Sequence, residues 1–166
     1  QGSQPITSYN FGAGNVGRVR ETFRRMLTAC LCYSCGLWAL IMLFPQAFAS
    51  LFSSDAELIA FTAKALRVYC GALFLFGIQS ACQITFVSIG NAPCSIFVAV
   101  LRKFILLIPL IYILPAFLPD KTTAVYLAEP VADAIAVTCT AFLFAWQFKK
   151  ALRKLEQPAP VQEKEA

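Results

Sequence analysis

The run QPITSYNFGAG, residues 4–14, decides how the rest of the chain is read. It is polar and glycine-rich, with Pro5 near its front. Arg18, Arg20, Arg24 and Arg25 follow at once, and long apolar segments lie beyond them. A helix-breaking stretch, then a basic cluster, then an apolar run predicts a junction at a membrane surface. One helix ends there and the chain turns before re-entering the bilayer.

Composition points to the same solvent. The 166 residues are 58% hydrophobic and 14% charged, whereas soluble domains sit near half apolar and a quarter charged. A water-soluble fold of this size could not cover so much apolar surface. The expected class is therefore an all-α membrane protein with about four transmembrane helices. The formal net charge is +5, yet the basic residues flank apolar segments and form no stripe for nucleic acid. The absence of histidine excludes histidine triads and histidine metal sites. Seven cysteines lie inside apolar runs, and the cluster Cys30, Cys32 and Cys35 reads as small packing residues rather than as metal or redox ligands. No metal, cofactor or enzymatic constellation is expected. The opening at Gln1, without an apolar leader segment, reads as a piece of a longer protein.

The spans follow from charge-free runs. Residues 26–54 carry no charge, more than the ~20 residues a crossing helix needs. A first span is predicted over residues 26–52, bent near Pro45, with Cys32 and Gly36 offering a small-residue face. Ser54 and Glu57 match a capping box, so a second helix is expected over 56–89, its charged first turns lying at the interface. GNAP at 90–93 breaks the chain. A third span over 94–118 contains Arg102, Lys103, Pro109 and Pro115, which predicts a bent or locally unwound helix. A fourth runs over 124–148. Residues 1–25 form the end of a preceding helix plus the junction, and residues 149–166 form a basic flank and a disordered tail. Four spans put both ends on one side. Arg18, Arg20, Arg24, Arg25, Arg102, Lys103, Lys149, Lys150, Arg153, Lys154 and Lys164 are then cytoplasmic, against Lys64, Arg67 and Lys121 outside.

Two pairs of polar residues stand out within the spans. Glu129 and Asp133 are four apart on one helix face, with Tyr126 one turn earlier and Pro130 freeing a carbonyl beside them. Carboxylates at membrane depth are costly, so they pair, take up protons or line water-filled cavities. Such a pair could exchange protons or attract an organic cation. Alternatively, Glu129 sits in headgroup water at the outer end, and Asp133 pairs with Arg102 or caps a neighbouring backbone group. Gln79 and Gln83 are one turn apart, and with Ala72, Phe76 and Phe86 they form a stripe of amides and aromatics. The stripe fits a wall for flat cations, or interhelical hydrogen bonding.

The stretch GSQPITSYNFGAGNVGRVRETFRR, residues 2–25, resembles the junction that opens the last four helices of multidrug and toxic compound extrusion (MATE) antiporters of the bacterial branch. Gln4, Pro5, Tyr9, Asn10, Gly12, Ala13, Arg18 and Val19 carry the likeness. Residues 51–70, 86–115 and 127–136 resemble later stretches of the family in the right order. The resemblance implies a twelve-helix fold in two six-helix halves, of which this chain supplies the ninth to twelfth helices. It implies efflux of drugs or organic cations in exchange for protons or sodium ions, in a bacterial inner membrane, with the N-terminal half missing from this chain. One branch of the family binds its cation with an acidic residue on the tenth helix. Gln79 and Gln83 occupy that helix here, so the resemblance does not extend to that site. Two other readings stay open: a lipid-linked oligosaccharide flippase relative, with Arg102 and Lys103 as its interior basic residues, and a non-transporting four-helix scaffold whose acidic residues are satisfied internally.

Overall fold

A computed structural model describes residues 2–156. Its helices are α1 (Ser3–Gly12), α2 (Val16–Leu43), α3 (Pro45–Ser50), α4 (Ala56–Tyr69), α5 (Phe76–Ser88), α6 (Ala92–Val100), α7 (Ile108–Phe117) and α8 (Lys121–Glu156). A 3₁₀ turn, Leu73–Leu75, leads into α5, and a π-helical segment, Leu101–Leu107, joins α6 to α7. Val16–Leu43, Ala92–Phe117 and Lys121–Glu156 are long and apolar enough to cross a membrane. Ala56–Tyr69 and Leu73–Ser88 are long and apolar enough when taken together as one span, bent by 44° at the break. The chain is all-α, as predicted, with three such helices and this bent pair.

Several boundaries differ from the sequence reading, each for a local reason. The stretch at 4–14 is not itself the turn, because α1 runs through most of it. Pro5 sits in the first turn, where its missing N–H has no intrahelical partner to lose. The reversal is confined to residues 13–15, where Gly14 takes φ +72° and the Asn15 N–H donates to the Asn10 carbonyl at 2.9 Å. Helix α2 starts at Val16, so the four arginines ride on its first turns. It stops at Leu43 rather than bending through 52. Phe44 precedes a proline and leaves helical geometry, and Pro45 starts α3 instead. The cap of α4 is Asp55, not Ser54: its carboxylate accepts the Glu57 N–H at 3.0 Å. The fourth helix continues through Pro130 and past residue 148 to Glu156, so the basic flank is helical as far as that residue. The expected disordered tail, residues 157–166, lies outside the described residues.

The second span is the least regular. It breaks at residues 70–72, and a break inside a membrane leaves carbonyls that lipid cannot satisfy. Two side chains of α2, one turn apart, meet that need. The Trp38 indole N–H donates to the Gly71 carbonyl at 3.2 Å, and the Ser34 hydroxyl donates to the Phe74 carbonyl at 3.1 Å. Trp38 also meets the Phe74 ring edge-on at 5.6 Å. Close contact between α2 and α5 is made at Gly77, Cys30 and Ser34. The predicted small-residue face at Cys32 and Gly36 is instead exposed in this chain.

Helix α8 is the central pillar. Ala124, Ala128, Ala132, Ala136 and Thr140 recur every four residues and are all buried. Small side chains on one stripe let neighbouring backbones approach, and α8 packs against α4, α5 and α7. Toward its C-terminal half, Phe86, Cys82, Ile89, Val98 and Phe144 form the apolar core.

The α7–α8 turn is set by Asp120. Its carboxylate accepts the Thr122 N–H at 3.1 Å and the hydroxyl and N–H of Thr123. The hydrogen bonds from Thr123 hold the Asp120 carboxyl below its ordinary value of 3.8. A carboxyl lowered in the folded state contributes stability above its unfolded value and loses it as pH falls through the folded one. Thermal unfolding of Asp120→Asn is therefore expected to be less pH-dependent than wild type below about pH 4. The two proteins should differ most near neutral pH. An unchanged pH profile would show that the cap contributes nothing.

A charge cluster in the bundle

The third span carries two adjacent cations in an otherwise apolar helix, Arg102 and Lys103, both in the π-helical segment. That segment ends just before Pro109, which lacks an N–H and whose ring crowds the carbonyl one turn back. The wider π turn adjusts the ladder around such a gap. It also directs both neighbours toward α8.

Arg102 is held on three sides. Its Nε and Nη2 bond the two oxygens of Asp133, the latter at 3.1 Å. Its Nη2 lies 3.6 Å from Glu129, and its Cζ lies 5.5 Å from the centre of the Phe76 ring. Lys103 Nζ donates to Glu129 Oε1 at 3.0 Å. The side chains of Arg102, Glu129 and Asp133 are 18%, 12% and 14% exposed, and that of Lys103 is 51%. The cluster is formally neutral: two cations face two carboxylates. Tyr69 of α4 lies within electrostatic reach of Glu129, Lys103 and Asp133.

Burial explains why the charges pair. The side chains of Arg102, Glu129 and Asp133 are each less than a fifth exposed, and an unpaired charge in so apolar a bundle is costly. Arg102 and Lys103, counted above with the basic residues of one end, face carboxylates of α8 here, and Glu129 is paired with them rather than open to solvent. For Asp133, the pairing with Arg102 is the arrangement found.

The remaining residues separate. Tyr126 lines a cleft of about 250 Å³ with Phe61, Lys64, Val68, Asp120 and Thr123. Among the described residues it makes no hydrogen bond to either carboxylate. The stripe on α5 does not form one open wall. Ala72, Gln79 and Phe86 are buried, Gln83 is half-buried, and Phe76 packs on Arg102. The Gln79 side-chain oxygen is buried without a hydrogen-bond partner among the described residues. In the junction motif, Asn10 bonds back to the Ile6 carbonyl at 2.8 Å and braces α1. Gln4, Pro5 and Gly12 lie along α1, Ala13 in the turn, and Tyr9 and Arg18 are exposed. Sequence reasoning missed the Lys103–Glu129 pair. The available signal was two adjacent cations on one span and two carboxylates a turn apart on the next, at matching depth.

The family model described as MatE matches residues 1–113. Among solved structures, the MATE multidrug transporter DinF-BH is 32% identical, with a TM-score of 0.81 over 90% of this chain and 33% of its own. An inward-facing multidrug resistance MATE family transporter of the MOP superfamily is 19% identical, with a TM-score of 0.83 over 92% of this chain and 35% of its own. An outward-facing form is 19% identical, with a TM-score of 0.82 over 92% and 34%. The chain spans about a third of the length of these solved relatives. No curated protein matches significantly.

Proposed function

Because the chain belongs to the MatE family, we propose that it forms the last four spans of an efflux antiporter that exports drugs or organic cations, driven by a proton or sodium gradient. The observation that carries this reading is the family match over residues 1–113, together with 32% identity to a multidrug transporter. The rest of the cavity wall would come from the remaining two thirds of such a protein. Transport would proceed by alternating access between halves, a reading supported by a shared fold that solved relatives adopt facing inward and outward. Excess Lys and Arg at the end bearing the start of α2 and the end of α8 supports a cytoplasmic location for both termini, in a bacterial inner membrane.

Glu129 is the coupling carboxylate in this proposal. Asp133 is tied to Arg102 by two hydrogen bonds, whereas Glu129 has a half-exposed lysine as its nearest partner. A proton on Glu129 would cancel its charge and release Lys103, changing the cluster from neutral to +1. A sodium ion would have to displace the lysine ammonium, so the geometry favours the proton. Internal neutrality alone would also suit a four-helix scaffold; the family assignment favours transport.

Expression of the full-length protein in efflux-deficient bacteria tests the proposal. Tolerance to ethidium should rise, and ethidium export should stop when the proton gradient is collapsed. Growth and dye retention equal to the empty vector would sink it.

A further inference from the structure

We propose that the cleft between the start of α2 and the end of α8 binds the phosphate headgroup of an anionic phospholipid. Arg20 from α2 meets Lys149 and Arg153 from α8 in a cleft of about 350 Å³. Its apolar lining is Ala145, Phe148 and Leu152, and Glu156 also lines it. Three cations and one carboxylate give the lining a formal charge of +2. Among the described residues, none of the three cations has a carboxylate within ion-pair distance. Arg25, by contrast, pairs with Glu21, and Lys150 lies over the Trp146 ring. Like charges brought together from two helices repel unless an anion joins them.

The chemistry of the cleft matches one ligand class. Arginine forks bond two phosphate oxygens at once, and lysine adds a point charge. The apolar lining is continuous with the bundle interior. Phe148 stacks on Phe144 at 4.9 Å and lies 5.3 Å from Phe23, and Leu152 is buried. A soluble phosphate would use only the cations. A lipid would use both parts, placing its headgroup at the rim and its glycerol and first acyl carbons against Phe148 and Leu152. Basic pockets between spans hold anionic headgroups in this way. The site is far along α8 from Glu129 and does not depend on the coupling proposal.

The test uses the purified full-length protein in detergent, titrated with phosphatidylglycerol, with phosphatidylcholine and with inorganic phosphate. Thermal stability and lipid retention in native mass spectrometry are read together. Phosphatidylglycerol is expected to raise the Tm of wild type and to be retained, and the other two are not. The triple variant Arg20→Gln, Lys149→Gln, Arg153→Gln should lose most of that shift. A charge-matched control, Arg18→Gln, Arg24→Gln, Lys154→Gln, should keep it. Equal losses in both triples would mean diffuse surface charge and overturn the site. A shift reproduced by phosphate alone would replace the lipid with a free anion. If the site triple does not fold, photoreactive phosphatidylglycerol on wild-type protein decides. Labelling within residues 16–25 and 145–156 supports the site, and labelling confined elsewhere overturns it.

Discussion

Arg102→Leu is expected to destabilise the bundle by roughly 3–5 kcal/mol, the cost of leaving a buried charge without its partner. The variant strips both hydrogen bonds from Asp133 and the 3.6 Å contact from Glu129. It also removes the cation packed on Phe76, the first residue of the helix that follows the bend in the second span. Arg102→Lys should recover only part of the loss, since an ammonium cannot reproduce the two-point bond to a carboxylate. The double variant Arg102→Leu, Asp133→Leu should recover most of it, because replacing both partners by apolar groups removes the desolvation problem. Denaturant-monitored unfolding of the purified protein in detergent measures all three. If the single and double leucine variants lose the same stability, the pair is not coupled.

Gly77→Ala should cost about 1–3 kcal/mol, the usual range for overpacking a tight contact. A Cβ at this position would stand 2.6 Å from the Ser34 hydroxyl oxygen, 2.7 Å from the Cys30 carbonyl oxygen and 2.8 Å from the Cys30 carbonyl carbon. A side-chain oxygen can be removed, but a backbone carbonyl cannot. Ser34→Ala should therefore fail to rescue Gly77→Ala, and the helices must separate instead. That separation would strain the Trp38 and Ser34 bonds that satisfy the broken second span. Accommodation of Gly77→Ala without loss of Tm would show that α2 and α5 are not in this contact.

These two sites also show what the sequence could and could not convey. Long apolar runs announced four spans, because the bilayer imposes length and apolarity on every crossing element. Local irregularity was harder to read. Ser54 and Asp55 are both capping residues, and only the path of the chain selects Asp55. Pro109 hinted at distortion in the third span, but a π turn depends on the backbone ladder, which leaves no period in the side chains. Glu129 and Asp133 were visible as a pair on one face. The pairing of Asp133 with Arg102 was one of two open readings, whereas the Lys103–Glu129 pair was not read at all, because which helices adjoin depends on tertiary packing. Gln79 and Gln83 shared a face in the sequence, yet Gln79 is buried and Gln83 only half-buried.

Proton-coupled ethidium export by the reconstituted full-length protein, comparing Glu129→Gln with Asp133→Asn, is the decisive measurement for proton coupling at Glu129. Glu129→Gln is expected to export no faster than empty vesicles at any imposed pH gradient, with only a modest loss of thermal stability because the lysine it leaves unpaired is half-exposed. Asp133→Asn is expected to lose more stability, because Arg102 is left with a neutral partner. Wild-type export with wild-type pH dependence in Glu129→Gln would contradict the assignment of coupling to this carboxylate.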